Sequence, residues 1–250
     1  MKIRSFLLQT VLFTAVFLFF LLPPLFQGES SESVLDFSQP DILFLHIFQA
    51  AFSAALLYAV KFVYGISPEK KNPCEKKSSR AMKIAVNTGA VLVSFGELCV
   101  CAAVLQFAAA FSEDGRTSAQ VIMPESFPGW ILCVVCFLLA AFYEESVYRF
   151  FLPETFSVLL KNVVSKATGN IYGGTEISSQ TEKRCVIASE IFSAAVFAFS
   201  HRYLGFFAVL NGAAGYCTLR ICLKKTGSLV PGCIAHFLYN LLNLMLLSAF

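Results

Sequence analysis

The stretch WILCVVCFLLAAFYEESVYRFFLP, residues 130–153, decides the fold. It opens on Trp130, an amphipathic ring of the kind that settles at a membrane surface. It closes on Pro153. Between them runs an apolar segment long enough to cross a bilayer, which takes about 20 residues. Glu144, Glu145 and Arg149 sit inside that segment. Ionisable groups at membrane depth cost about 3 kcal/mol each and mark functional sites by default.

The rest of the chain agrees with a membrane setting. Of 250 residues, 57% are hydrophobic and 14% charged, against roughly 45–50% and about 25% in soluble domains. Mean hydropathy is +0.69. Disorder is excluded, because it needs low hydrophobicity and high charge. A soluble globule is excluded, because so little polar surface cannot cover one. A net charge of +3 is too small to point to nucleic acid. The expectation is all-α: a polytopic bundle of about seven spans. Apolar runs cover 5–26, 42–66, 84–111, 130–152, 191–203, 205–222 and 229 to the C-terminus. The first reads as an uncleaved anchor, because it is longer than a signal-peptide core and ends Leu22-Pro23-Pro24.

Loop charge sets the expected orientation. Lys2 and Arg4 precede the first span. Lys70, Lys71, Lys76, Lys77, Arg80 and Lys83 crowd the 67–83 loop, and Lys161, Lys166, Lys183 and Arg184 lie in 161–184. Lys224 and Lys225 form the turn before the last span. The intervening loops 27–41 and 112–129 are acidic. Basic and acidic loops alternate, so the N-terminus is expected to be cytoplasmic and the C-terminus outside. Cys133 and Cys136 form a C-x-x-C, but without polar neighbours they read as small hydrophobes.

Three motifs carry chemistry. In E-E-x-x-x-R, Glu145 and Arg149 are spaced i,i+4 with the acid first, the favourable order for an ion pair. Glu144 points about 100° away on an α-helix, which leaves it to activate a water. In F-x-x-x-H, Phe197 and His201 share a helix face. In H-x-x-x-N, His236 and Asn240 do the same and can hold a metal or donate to an oxyanion. His236 and Glu144 both lie about 10 Å from the inner ends of their spans at 1.5 Å per residue. His201 reaches that level if its span starts near Ile191, which places 183–190 at the cytoplasmic surface. Glu97 either faces the cavity or offers Arg149 a second acid, and His46 reads as a hydrogen-bonded bundle residue.

E-E-x-x-x-R, F-x-x-x-H and H-x-x-x-N, in that order on consecutive membrane helices, resemble the family of type II CAAX prenyl proteases and bacteriocin-processing Abi proteins (CPBP). The stretch Leu219-Arg220 to Asn240, with Lys225-Thr226-Gly227-Ser228-Leu229 leading into Pro231 and His236, is similar to that family's closing segment. The likeness covers about 130–245, so 1–112 is expected to hold spans without a motif and 130–250 the catalytic part of one continuous membrane domain.

The resemblance implies an intramembrane endopeptidase acting near the cytoplasmic side on a membrane protein or a lipidated peptide. Glu144 would be the general base, His201 would position the water, and His236 and Asn240 would stabilise the oxyanion. Glu145, Arg149 and Phe197 would support the site. No cofactor is expected, and H-E-x-x-H is absent. A zinc-dependent version would have Glu144, His201 and His236 as ligands. The host membrane would be the bacterial inner membrane or the endoplasmic reticulum of a eukaryote. Family members commonly carry Gly after the motif Arg, where this chain has Phe150.

Two rival readings exist. A non-catalytic Abi-type immunity or regulatory partner would bind through the small-residue face of Ala208, Gly212 and Gly215. A transporter would use Glu97, Glu144 and His201 as a proton path, and would be expected to show inverted repeats that this sequence lacks.

The orientation is testable with thiol labelling in sealed, right-side-out vesicles, other cysteines being replaced by Ala. Cys74, in the basic 67–83 loop, is expected to react with an impermeant maleimide only after the vesicles are opened. A Ser118→Cys probe in the acidic 112–129 loop is expected to react at once. The opposite pattern inverts the topology.

Overall fold

The computed structural model describes residues 2–27, 34–68, 80–112, 120–167 and 178–247. The chain is an all-α polytopic bundle and an integral multi-pass membrane protein. Helix α1 covers 2–26 and α2 Pro40–Tyr64; α3 is Arg80–Ala110 and α4 Phe127–Ala167. Helix α5 is Ser179–Phe199, α6 Phe206–Thr226 and α7 Leu229–Leu247. All except α5 are long and apolar enough to cross a membrane, which makes six candidate spans among the described residues where seven were expected.

Two-residue strands β1 (Val34–Leu35) and β2 (Gln120–Val121) pair in parallel. They join the two acidic loops on one side of the bundle, in keeping with alternating loop charge. On the other side, Ser67 and Pro68 line a small cavity with Lys224 and Gly227, so two basic segments also meet.

Helices α1 and α4 are not uniform. Each contains a π turn, at Phe17–Leu21 and Glu145–Phe151. In these turns the N–H of Leu22 bonds to the carbonyl of Phe17, and that of Leu152 to Val147, five residues back. Both turns lead into proline. A proline cannot donate to the carbonyl four residues back, and its ring crowds it. Widening the turn relieves the crowding without ending the helix. Pro153 therefore does not terminate the fourth span; α4 continues for another 14 residues to Ala167.

Helix α5 departs most from expectation. It begins at Ser179, not near Ile191, and Glu190 is half-buried rather than at the surface. Its outward residues Ile187, Ile191 and Phe199 are exposed and apolar, whereas Ser189 and Ser193 are buried. A polar inner face lowers its hydropathy without exposing polar groups to lipid. Its first turns pair with the extended end of α4, where Lys161 reaches Glu182 at 2.7 Å. That extra length lets His201 still arrive beside the other motifs. The helix stops at Phe199, and the 3₁₀ turn Arg202–Leu204 follows. Arg202 Nε donates to the carbonyl of Gln27, just past the end of α1. Gly205, at φ +97°, then reverses the chain into α6.

The main core gathers Val16 and Leu21 from α1, Leu56 and Val60 from α2, and Val147 to Leu152 from α4. Val196, Phe197, Tyr216 and Cys233 complete it. Many of the 27 Phe are exposed and apolar, as lipid contact allows. An inner set stacks: Phe13 against Phe151 and Phe156, and Phe17 against Phe192, which ties α1, α4 and α5. Cys133 and Cys136 are fully buried.

Phe151 is fully buried at this junction. Phe151→Ala is expected to cost about 3–5 kcal/mol through lost packing and a cavity, measured as a lower midpoint in detergent-induced unfolding.

Candidate active site

The site forms around the π turn of α4. Arg149 and Glu145 are each only 1% exposed. Arg149 Nη1 lies 3.2 Å from Glu145 Oε1, the expected i,i+4 pair. It also lies 3.6 Å from Glu144 Oε2. An α-helix would turn Glu144 away, but i→i+5 winding brings residues five apart onto one side, so both carboxylates flank one guanidinium. The second acid of Arg149 is thus Glu144, not Glu97, which is exposed. The guanidinium carbon sits 3.8 Å over the ring of Phe197, adding a cation–π contact from α5.

Helix α7 brings His236 onto the same carboxylates. Its Nδ1 is 3.0 Å from Glu145 Oε1, and its Nε2 is 3.7 Å from Glu144 Oε2. An ionised carboxylate only accepts, so Nδ1 carries a proton and Nε2 faces Glu144. Glu145 therefore orients His236 as well as pairing with Arg149. Gly232, one turn earlier, makes this approach fit: a Cβ there would stand 3.1 Å from Glu145 Oε2.

His201 closes the site from the end of α5. Its Nδ1 donates to the carbonyl of Phe197 at 2.9 Å, which leaves Nε2 as the ring's acceptor. The Phe197 and His201 rings meet edge to face at 4.6 Å. His201 lies within electrostatic range of Glu144. Helix α6 passes closely because Gly212 is small: a Cβ there would meet Ala198 Cα at 3.3 Å. Gly212 and Gly215 are buried against α5 and α3, so this part of the small-residue face is already occupied. Asn240 is half-buried one turn beyond His236. Its neighbour Tyr239 exchanges hydrogen bonds with Asn211, which pins α7 to α6.

Among the cluster's carboxylates, Glu144 is the accessible one, at 22% side-chain exposure against 1% for Glu145. Its Oε2 is buried and makes no hydrogen bond among the described residues. Among those residues, no group of three His, Cys, Asp or Glu side chains is gathered that could hold a metal ion. His46 is hydrogen-bonded to Gln49 as expected, yet it also lies within electrostatic range of Glu144.

Sequence reasoning missed Arg220. It is 6% exposed and bonds Glu154, Glu190 and the carbonyl of Arg149. Its position inside the apolar run 205–222 was the available signal.

Gly232→Ala is expected to cost about 1–3 kcal/mol by overpacking, because Glu145 is held by both Arg149 and His236 and cannot retreat. The unfolding midpoint should fall, and the imidazole proton signals of His236 should shift.

No curated protein and no solved structure matches the chain. Residues 126–242 match the family described as Type II CAAX prenyl endopeptidase Rce1-like. The matched segment begins at Ser126, the cap of α4, and ends within α7. It contains all seven residues of the three motifs. Over these residues, just under half of its length, the chain is similar to the CAAX-protease family of membrane endopeptidases.

Proposed function

We propose that the chain hydrolyses a peptide bond of a membrane-associated substrate by a glutamate-activated water, near the cytoplasmic side. The observation that carries this reading is the asymmetry of the two glutamates. Glu145 is sealed and committed to Arg149 and His236. Glu144 is accessible, with His236 Nε2 3.7 Å away.

The reaction balances on these groups. Ionised Glu144 takes a proton from water as the water oxygen attacks the scissile carbonyl carbon. His201 accepts the water's second hydrogen bond through Nε2 and orients it. The carbonyl oxygen becomes an oxyanion, stabilised by the side-chain amide of Asn240 and by His236, whose Nε2 shares with Glu144 the proton taken from water. Collapse breaks the C–N bond, and the proton held by Glu144 passes to the leaving amine. Arg149 supplies counter-charge without touching substrate.

The cytoplasmic assignment rests on α7. It follows the basic turn Lys224–Lys225, and His236 lies about 10 Å along the helix from Leu229. A lipidated or membrane-inserted peptide would reach this depth from the bilayer.

The test is cleavage by the purified chain in proteoliposomes. Glu144→Gln is expected to abolish turnover, and Asn240→Ala to lower kcat by about 100- to 1000-fold. Wild-type activity should persist in excess chelator. Full cleavage by Glu144→Gln would remove the base assignment, and loss of activity to the chelator would replace it with a metal mechanism.

A further inference from the structure

Arg220 takes no part in the reaction above, yet it is the most heavily bonded cation among the described residues. Its guanidinium reaches two other helices. Nη1 donates to the carbonyl of Arg149 at 2.8 Å, and Nη2 to Glu154 Oε1 at 2.8 Å, both on α4. Nη2 also donates to Glu190 Oε1 at 2.7 Å and Nε to Glu190 Oε2 at 3.0 Å, on α5. Lys224 joins Glu190 at 2.7 Å, and the Tyr216 hydroxyl donates to it at 3.1 Å. Two cations thus face two carboxylates, so the cluster is balanced without help from the site.

The bond to the Arg149 carbonyl is the informative one. Pro153 has no N–H, so the carbonyl four residues before it lacks its α-helical donor. Arg220 supplies a charge-assisted replacement from α6. That carbonyl belongs to the residue whose side chain faces both Glu144 and Glu145. The π turn is therefore held at its backbone by Arg220 and at its side chain by the carboxylates. Beside it, Phe150, Glu154, Arg220 and Lys224 line a cavity of about 30 Å³, room for a single water. It is too small for a second substrate site, which leaves positioning as the role of the cluster.

We infer that Arg220 is a positioning residue: by holding the Arg149 carbonyl it keeps the Glu145–Phe151 π turn open, and so sets Glu144 against His236. This rests on the reading of Glu144 as the base.

Arg220→Lys keeps the charge beside Glu154 and Glu190, but an ammonium lacks the fork that reaches a carbonyl and two carboxylates together. Glu190→Gln weakens the α5 anchor and leaves the Arg149 bond in place. Both variants, with wild type and Glu144→Gln, are compared in proteoliposomes for kcat, KM and unfolding midpoint. Arg220→Lys is expected to lower kcat per folded molecule by about 10- to 100-fold, the scale of a small misplacement of reacting groups, with KM unchanged within about twofold. Glu190→Gln is expected to lower the midpoint while keeping kcat within about threefold, less than 1 kcal/mol in barrier. Wild-type kcat in folded Arg220→Lys, or equal losses of kcat in both variants, would overturn the inference. If Glu144→Gln still cleaves while Arg220→Lys loses kcat, Arg220 positions a site whose base is another residue.

Discussion

Burying the guanidinium of Arg149 is the constraint from which the rest of the bundle follows. The idealised cost of taking such an ion out of water is of order 20 kcal/mol, and several remain after relaxation. Nothing in lipid can offset that, so the protein must. Two carboxylates come from the same helix and one aromatic face from α5. Their arrangement requires the π turn, and the π turn is favoured by Pro153. His236 then completes the shell of Glu145, which draws α7 against α4. Each partner satisfies a charge that would otherwise be stranded, so removing one exposes the next.

The same logic inverts the usual distribution of polarity. Phenylalanines and aliphatic residues face outward, where lipid receives them at no cost, while serines, glutamates and arginines face inward. Helix α5 shows the consequence most clearly. Its apolar stripe of Ile187, Ile191 and Phe199 is exposed, Ser189 and Ser193 are buried, and Glu190 meets Tyr216 and Arg220. Association of such helices cannot rely on hydrophobic burial, because lipid is as apolar as a core. Close packing at Gly212 and Gly232, stacked rings and charge pairs take its place.

Much of this was legible in residue order. Span positions, the alternation of loop charge and the pairing of Glu145 with Arg149 follow from hydropathy and from i,i+4 spacing, both of which act locally. The misses share a different cause. The pairing of Glu144 with Arg149 depends on a π turn, and an α-helical wheel assigns the two residues to different faces. The start of α5 was set too late because Glu190 was read against lipid rather than against Arg220. That partner lies 30 positions away, and neither residue announces the other. Pro153 was read as a helix end, since the widened turn that accommodates it depends on a donor from α6.

Phe150 shows how local packing accommodates a departure from a family pattern. The glycine common after the motif arginine allows close backbone approach, and its replacement by a bulky ring threatens that approach. In this chain the ring is 3% exposed and lines the Arg220 cavity, on the cluster's side of the turn rather than among the carboxylates. Close approach to the carboxylates is made instead from the facing helix, where Gly232 admits Glu145 Oε2. The ring lines the same small cavity as Arg220, the residue that holds the Arg149 carbonyl. A large residue after Arg149 and an arginine on α6 are therefore two parts of one local solution, and substituting either alone should disturb the π turn more than the departure from pattern does.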